Sequence, residues 1–342
     1  MKKCDSKRKK FFIIVERKRT HKNLKRKRLK KRKLIEFALQ YDKIITAPKY
    51  FTLGDSKLRS KFLKFIYKLR ALCSKARQRI LIDFNNTEHM VSDGTLLFRA
   101  HFCRLVSHQS YSSVRIKYSS NNRINQVLQQ IGVLDLVGQH PNIETDDPDV
   151  VNWRYAEGAG ALGEKFEEIL GPYQGTIAEP LQRGLYLGLT EAMTNTRQHA
   201  YPERVSSKVN NDDGTNEWWM FSQEKDGRIY VVFCDLGVGI PTSLPEKQPR
   251  LWEKLLAKVS GFPPDSRIIS EAIKHSRSRT GHEYRGKGLG QLTSVLAGIA
   301  GGDLRLFSNH GCYNLIDGNT STMDYRDSIR GTLISWSLPL TD

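Results

Sequence analysis

The sequence predicts an α/β protein in two parts behind a strongly basic N-terminal tail. Three observations lead there. In the first half, short apolar runs alternate with stretches of helical periodicity, as in a small parallel sheet with crossover helices. In the second half, two apolar runs flank an Asp-Gly turn signal, as in an antiparallel hairpin, and a glycine-rich stretch opens a helical run. The tail is marked by charge: residues 1–33 hold 18 Lys or Arg against two acids, Asp5 and Glu16, so they carry +16 of the net +19 of the 342-residue chain.

A block of like charge repels itself and stays solvated. Residues 1–33 are therefore expected to be a disordered arm, either plainly solvated or bound to nucleic-acid phosphates or another acidic surface through counterion release. No aromatic residue interrupts 17–33, so base stacking is not indicated. Five scattered cysteines (Cys4, Cys73, Cys103, Cys234 and Cys312) never fall in CxxC spacing, which argues against a disulfide framework or a zinc site. The apolar run Phe11–Val15 is too short for a bilayer span or a secretory segment. A cytoplasmic protein with no membrane span is expected.

After the tail, residues 34–46 and 56–78 have helical patterns, with Leu58, Phe62, Phe65, Leu69 and Leu72 forming the apolar stripe of the second. Ile80-Leu81-Ile82-Asp83-Phe84 reads as a buried strand and Leu96 to Val106 as a helix. Ser113 to Tyr118 reads as a second strand, and Asn121 to Gln130 as a helix ending before Gly132. Strand, helix, strand, helix implies a parallel unit. Residues 34–138 thus make a first domain, and the acidic, proline-bearing segment 139–154 a linker to a second domain, 155–342. Within the first, ILIDFNNTEHMVSDGTLLF and NNRINQVLQQIGVLDLVG resemble the opening and the last helix of a STAS domain. That resemblance spans roughly residues 55–138. It makes Ser92 a candidate phosphoacceptor, although Val91 stands where the phosphorylated relatives carry aspartate. Ser92-Asp93 equally reads as a plain helix N-cap.

The second domain carries the chemistry. In EAMTNTRQH, Glu191, Asn195 and His199 fall at four-residue steps and form a polar column on one helix face. Glu191 is suited to activate or orient water, and Asn195 to offer a carbonyl oxygen to Mg²⁺; a column satisfied by its neighbours is the plainer alternative. A hairpin follows, Glu217–Glu224 and Arg228–Cys234 around Asp226-Gly227, and runs into Asp235-Leu236-Gly237-Val238-Gly239. A strand-end aspartate can accept from the exocyclic amine of adenine, with Gly237 and Gly239 admitting the base; an ordinary tight turn uses the same residues. Gly286, Gly288 and Gly290 open a further helix beside Lys287, a place where amides and charge favour phosphate. Thr332 begins a closing strand, where its hydroxyl is suited to bond a buried polar group or the Asp235 carboxylate.

In this order the four stretches resemble the N, G1 and G2 boxes and terminal strand of the GHKL ATPases, the Bergerat fold, over residues 155–340. The resemblance implies an α/β sandwich with a mixed sheet under helices, with ATP and Mg²⁺ as ligands. It makes Glu191 the catalytic glutamate and Asn195 the magnesium ligand. Asp235 becomes the adenine-binding aspartate, with Gly237 and Gly239 shaping the base pocket. Gly286, Lys287, Gly288 and Gly290 meet the phosphates, and Thr332 sits near the adenine. It also makes 242–284 a mobile ATP lid and a homodimer or partner protein the expected assembly. Three functions are compatible: an ATPase switch in a protein or nucleic-acid-associated complex, such as a phage-defence assembly; a protein serine kinase of the anti-sigma-factor type acting on Ser92; and an ATP-binding module without turnover.

Overall fold

The computed structural model describes residues 40–75, 78–107, 113–159, 200–201, 217–278 and 288–340, with 19, 22–23, 171, 186, 188–190 and 192–196 in addition. The basic tail lies outside the described residues apart from Arg19, Lys22 and Asn23.

In the N-terminal half, β1 (Lys43–Thr46), β3 (Arg79–Asp83) and β5 (Ser113–Lys117) form a parallel sheet in the order β1-β3-β5. A parallel pair, β2 (Tyr50–Phe51) and β4 (His89–Met90), lies apart from it. The helices are α1 (Ser56–Cys73), α2 (Ser92–Ser107), α3 (Asn122–Gln130), α4 (Val133–Leu136) and α5 (Pro148–Val151). The parallel unit predicted from alternating periodicities is present. The helical reading of 34–46 is corrected in its described part: residues 43–46 are β1, pairing with Ile80–Asp83. Ile44, Ile45 and Thr46 are β-branched, and sheet pairing outweighs the local helical spacing. Asp55 caps α1 by accepting from the Leu58 amide at 2.8 Å, and the helix ends at Cys73, just past the apolar stripe and short of the expected residue 78. Every residue of α2 from Ser92 to Phe102 is buried. A helix buried all round needs a layer on each side.

The second layer is the C-terminal sheet. Its strands are β6 (Arg154–Ala159), β7 (Glu217–Lys225), β8 (Arg228–Asp235), β9 (Asp303–Ser308), β10 (Gly311–Ile316), β11 (Asn319–Asp324) and β12 (Thr332–Pro339), in the order β11-β10-β9-β12-β8-β7-β6. The expected mixed sheet is corrected: all pairs among the described strands are antiparallel. Tight turns account for much of this. Asp226-Gly227 joins β7 to β8 and Asp317-Gly318 joins β10 to β11, all four residues with positive φ, as such hairpins require.

The runs WWMF on β7 and VVFC on β8 are apolar without alternation because both faces of the sheet are covered. Trp218, Met220, Val231 and Phe233 face a helix layer, while Trp219, Phe221, Val232 and Cys234 share a core with the N-terminal half. Each large side chain so buried contributes about 1.5–3 kcal/mol. On the helix side lie residues 188–190 and 192–195, α8 (Asp265–Ser278) and α9 (Gly288–Ala297); α6 (Ile240–Lys247) and α7 (Pro249–Leu256) precede them. The segment expected as a mobile lid is helical over much of 240–278, and α8 sets Ile269 and Ile273 into the core. On the opposite side the two halves are tied by polar contacts. The Arg59 guanidinium stacks 4.2 Å from the Tyr325 ring centre, Ser60 donates to Asp327 at 2.7 Å, and buried His101 donates to the Ile329 carbonyl at 3.2 Å.

Candidate functional site

Asp235 is the last residue of β8, set beside Trp218 on β7 and Thr332 on β12. It is 7% exposed. Burial raises its carboxyl from the ordinary 3.8 to about 6, against the opposing pull of the Gly237 and Thr332 amides and of Arg104. The Gly237 amide donates to Oδ1 at 2.9 Å. Thr332 was expected to bond a buried polar group or this carboxylate with its hydroxyl. The hydroxyl pairs with a buried polar group, Ser308 Oγ, at 3.1 Å, and it is the Thr332 backbone amide that faces Asp235. Ser308 Oγ also accepts from the Ile240 amide at 2.9 Å, fixing the start of α6.

The two glycines after Asp235 hold the loop where a side chain cannot go. A Cβ on Gly237 would lie 2.3 Å from the Ala200 carbonyl oxygen, a backbone atom. Gly239 has φ +80°, and a Cβ there would lie 2.7 Å from the Asn309 amide nitrogen. Both approaches are secured by hydrogen bonds: the Val238 amide donates to Ala200 O at 2.8 Å, and Asn309 Nδ2 donates to Val238 O at 2.8 Å. The Asp235 loop is thus stapled between Ala200, which follows the helical residues 192–195 in the chain, and the β9–β10 turn.

On that helical segment Leu189 and Met193 are fully buried while Asn195 is half-buried, the division expected of a polar position beside an apolar stripe. Glu191 and His199 lie outside the described residues, as do Gly286 and Lys287. Gly288 opens α9. The Gly290 amide donates to Ser276 Oγ on α8 at 2.8 Å, so in this structure that amide is taken by a neighbouring helix. Leu292 of α9 packs on Gly188, which places α9 beside the Asn195 segment. Ser92 is buried as the first residue of α2; in its place the Asp93 carboxylate accepts from the Leu53 amide at 3.4 Å and from that of Gly94.

Sequence reasoning missed four side chains that shape the loop: Ser308, Asn309, Tyr201 and Arg104. Tyr201 follows directly on Ala200, and its hydroxyl accepts from the Leu236 amide at 3.1 Å and donates to Glu217 O at 2.9 Å. Arg104 comes from α2 in the other half, donating to Leu236 O at 3.1 Å and to Tyr201 at 3.0 Å. No spacing in the sequence links position 104 to position 236.

No family model matches the chain. No curated protein does either. Among the described residues no group of three His, Cys, Asp or Glu side chains is arranged to hold a metal, and no helix is long and apolar enough to cross a membrane. A cleft of about 200 Å³ lined by Cys73, Leu105, Val106, Arg115 and neighbouring residues shares no wall with the Asp235 loop.

What the arrangement can do follows from its donors. A buried carboxylate with part of its acceptor capacity satisfied by two amides keeps lone pairs for one more donor. The close approach of Ala200 to Gly237 and of Asn309 to Gly239 fixes the backbone beside that carboxylate. A purine amine fits that set.

Proposed function

We propose that the C-terminal half binds Mg-ATP in the GHKL manner and serves as a nucleotide-dependent conformational switch with ATPase activity. The observation that carries this reading is the buried Asp235 carboxylate at a strand end, held by the Gly237 and Thr332 amides beside two glycines that tolerate no side chain. In this reading Asp235 accepts from the adenine amine, and Gly286, Lys287, Gly288 and Gly290 meet the phosphates. Freeing the Gly290 amide for that purpose means separating it from Ser276, so α8 and α9 shift when nucleotide arrives. Asn195 would hold Mg²⁺, which when bound neutralises phosphate charge. Glu191 would orient the attacking water and take its proton. The switch is read out through a homodimer or a partner protein, with residues 1–33 docking on nucleic acid.

The burial of Ser92 favours a hydrolytic switch over a serine kinase, since phosphoryl transfer to it requires the start of α2 to leave its seat. Titrating Mg-ATP against wild type and Asp235→Ala tests the binding: at least tenfold weaker binding is expected in the variant, and equal affinity would sink the proposal. Glu191→Ala should keep binding and lose phosphate release, which separates turnover from mere ATP storage. Label from γ-labelled ATP found on Ser92 would favour the kinase instead. Removing residues 1–33 should abolish low-salt nucleic-acid retention; unchanged retention removes the docking role.

A further inference from the structure

Resting on that reading, we infer that Arg104 is a positioning residue for the nucleotide loop, and that through it the N-terminal half sets and senses occupancy of the adenine site. The peptide of Leu236, between Asp235 and Gly237, is gripped on both sides. Arg104 Nη1 donates to its carbonyl at 3.1 Å, and Tyr201 Oη accepts from its amide at 3.1 Å. Arg104 Nη2 donates to that same Tyr201 oxygen at 3.0 Å, and the phenol donates onward to Glu217 O at 2.9 Å. The hydroxyl thus uses its one proton and both lone pairs. The Arg104 guanidinium is flanked by the rings of Tyr201 and Trp219, at 5.2 and 5.9 Å from their centres, and its Nε lies 3.7 Å from the Glu217 carboxylate.

This geometry leaves the loop little freedom of its own. β8 ends at Asp235, so the Leu236 peptide has left the sheet ladder, and its position is fixed by a side chain from α2. Any movement of the loop as adenine enters must displace that guanidinium or be resisted by it. α2 is a continuous helix, buried from Ser92 to Phe102, so a displacement at Arg104 is transmitted along it rather than absorbed locally. Ser92 sits at its far end, about 18 Å away along the axis at the helical rise per residue. Arg104 touches no ligand itself. It acts on Asp235 by holding the next peptide and by adding positive charge nearby.

The test measures binding of a non-hydrolysable Mg-ATP analogue to the full chain, together with amide hydrogen exchange over residues 92–107 with and without it. Wild type should bind and show slowed exchange over α2. Arg104→Ala should bind about tenfold more weakly, the loss of one to two hydrogen bonds, and its α2 should no longer respond to the analogue. Tyr201→Phe keeps the ring packing and removes only the hydroxyl, so it carries the test if Arg104→Ala fails to fold, and it should move both readouts the same way. Wild-type affinity and wild-type α2 response in both variants would overturn the inference while leaving nucleotide binding intact. No binding by wild type would overturn the nucleotide reading itself, and the inference with it.

Discussion

Replacing Asp235 with asparagine should stabilise the unliganded protein while weakening the proposed binding of nucleotide. Burial holds the carboxyl at about 6 against an ordinary 3.8, so ionising it in the native state at neutral pH costs about 3 kcal/mol more than in the unfolded chain. Asparagine keeps the shape and one acceptor for the Gly237 and Thr332 amides, but gives up the charge-assisted bonds, about 1 kcal/mol. The net expectation is a gain of about 2 kcal/mol at pH 7.5. The sign follows from proton binding: the folded carboxyl holds its proton more tightly than the unfolded one. The penalty is therefore full above about 6 and fades as the pH falls towards 3.8. Arg104, the charged group facing Asp235, remains cationic throughout. Urea unfolding at several pH values should show the variant ahead by about 2 kcal/mol at pH 7.5 and level with wild type near pH 4.5. Adding a Mg-ATP analogue at about a hundred times its wild-type Kd should raise wild type by about 2.7 kcal/mol and a variant that binds tenfold more weakly by only about 1.4 kcal/mol. An unliganded variant less stable than wild type at pH 7.5 would refute the burial argument. Equal stabilisation by the analogue would refute the role in binding.

Gly237→Ala should cost about 2 kcal/mol or more and weaken analogue binding, because its Cβ meets the Ala200 carbonyl at 2.3 Å and the loop must move; thermal melting and titration together check both. His101 should make the protein acid-sensitive. Burial pushes it down from 6.5 to about 3, with Arg70, Arg104 and Arg330 adding to the effect, so the unfolded chain takes up a proton that the native site refuses. Stability is then lost as the pH falls below 6.5, by about 2 kcal/mol at pH 5. His101→Gln keeps a donor for the Ile329 carbonyl and should remove that slope in unfolding experiments; an unchanged slope would assign the acid sensitivity elsewhere.

Much of this architecture was legible locally. The β7–β8 hairpin announces itself through Asp226-Gly227, and the parallel unit through the spacing of Ile80–Phe84 and Ser113–Tyr118. Asp235 with its glycines is readable because a strand end followed by GxG constrains the backbone within a few residues. What escaped was non-local. β1 reads as helix until Ile80–Asp83 is beside it, and β9 to β11 lie in a region whose strands are fixed by their neighbours. The direction of Thr332 was legible in type but not in partner, since Ser308 comes from a strand 24 positions away. Arg104 was out of reach altogether, because nothing near it in sequence names Leu236.

The doubly clad sheet has a practical corollary for anyone wishing to isolate the C-terminal half. Cutting the chain near residue 155 would strip the roof from Trp219, Phe221, Val232 and Phe307, turning a sealed interior into a sticky floor. The excised piece would tend to clump rather than behave as a free-standing domain. In this molecule the N-terminal half is therefore scaffolding for the C-terminal sheet.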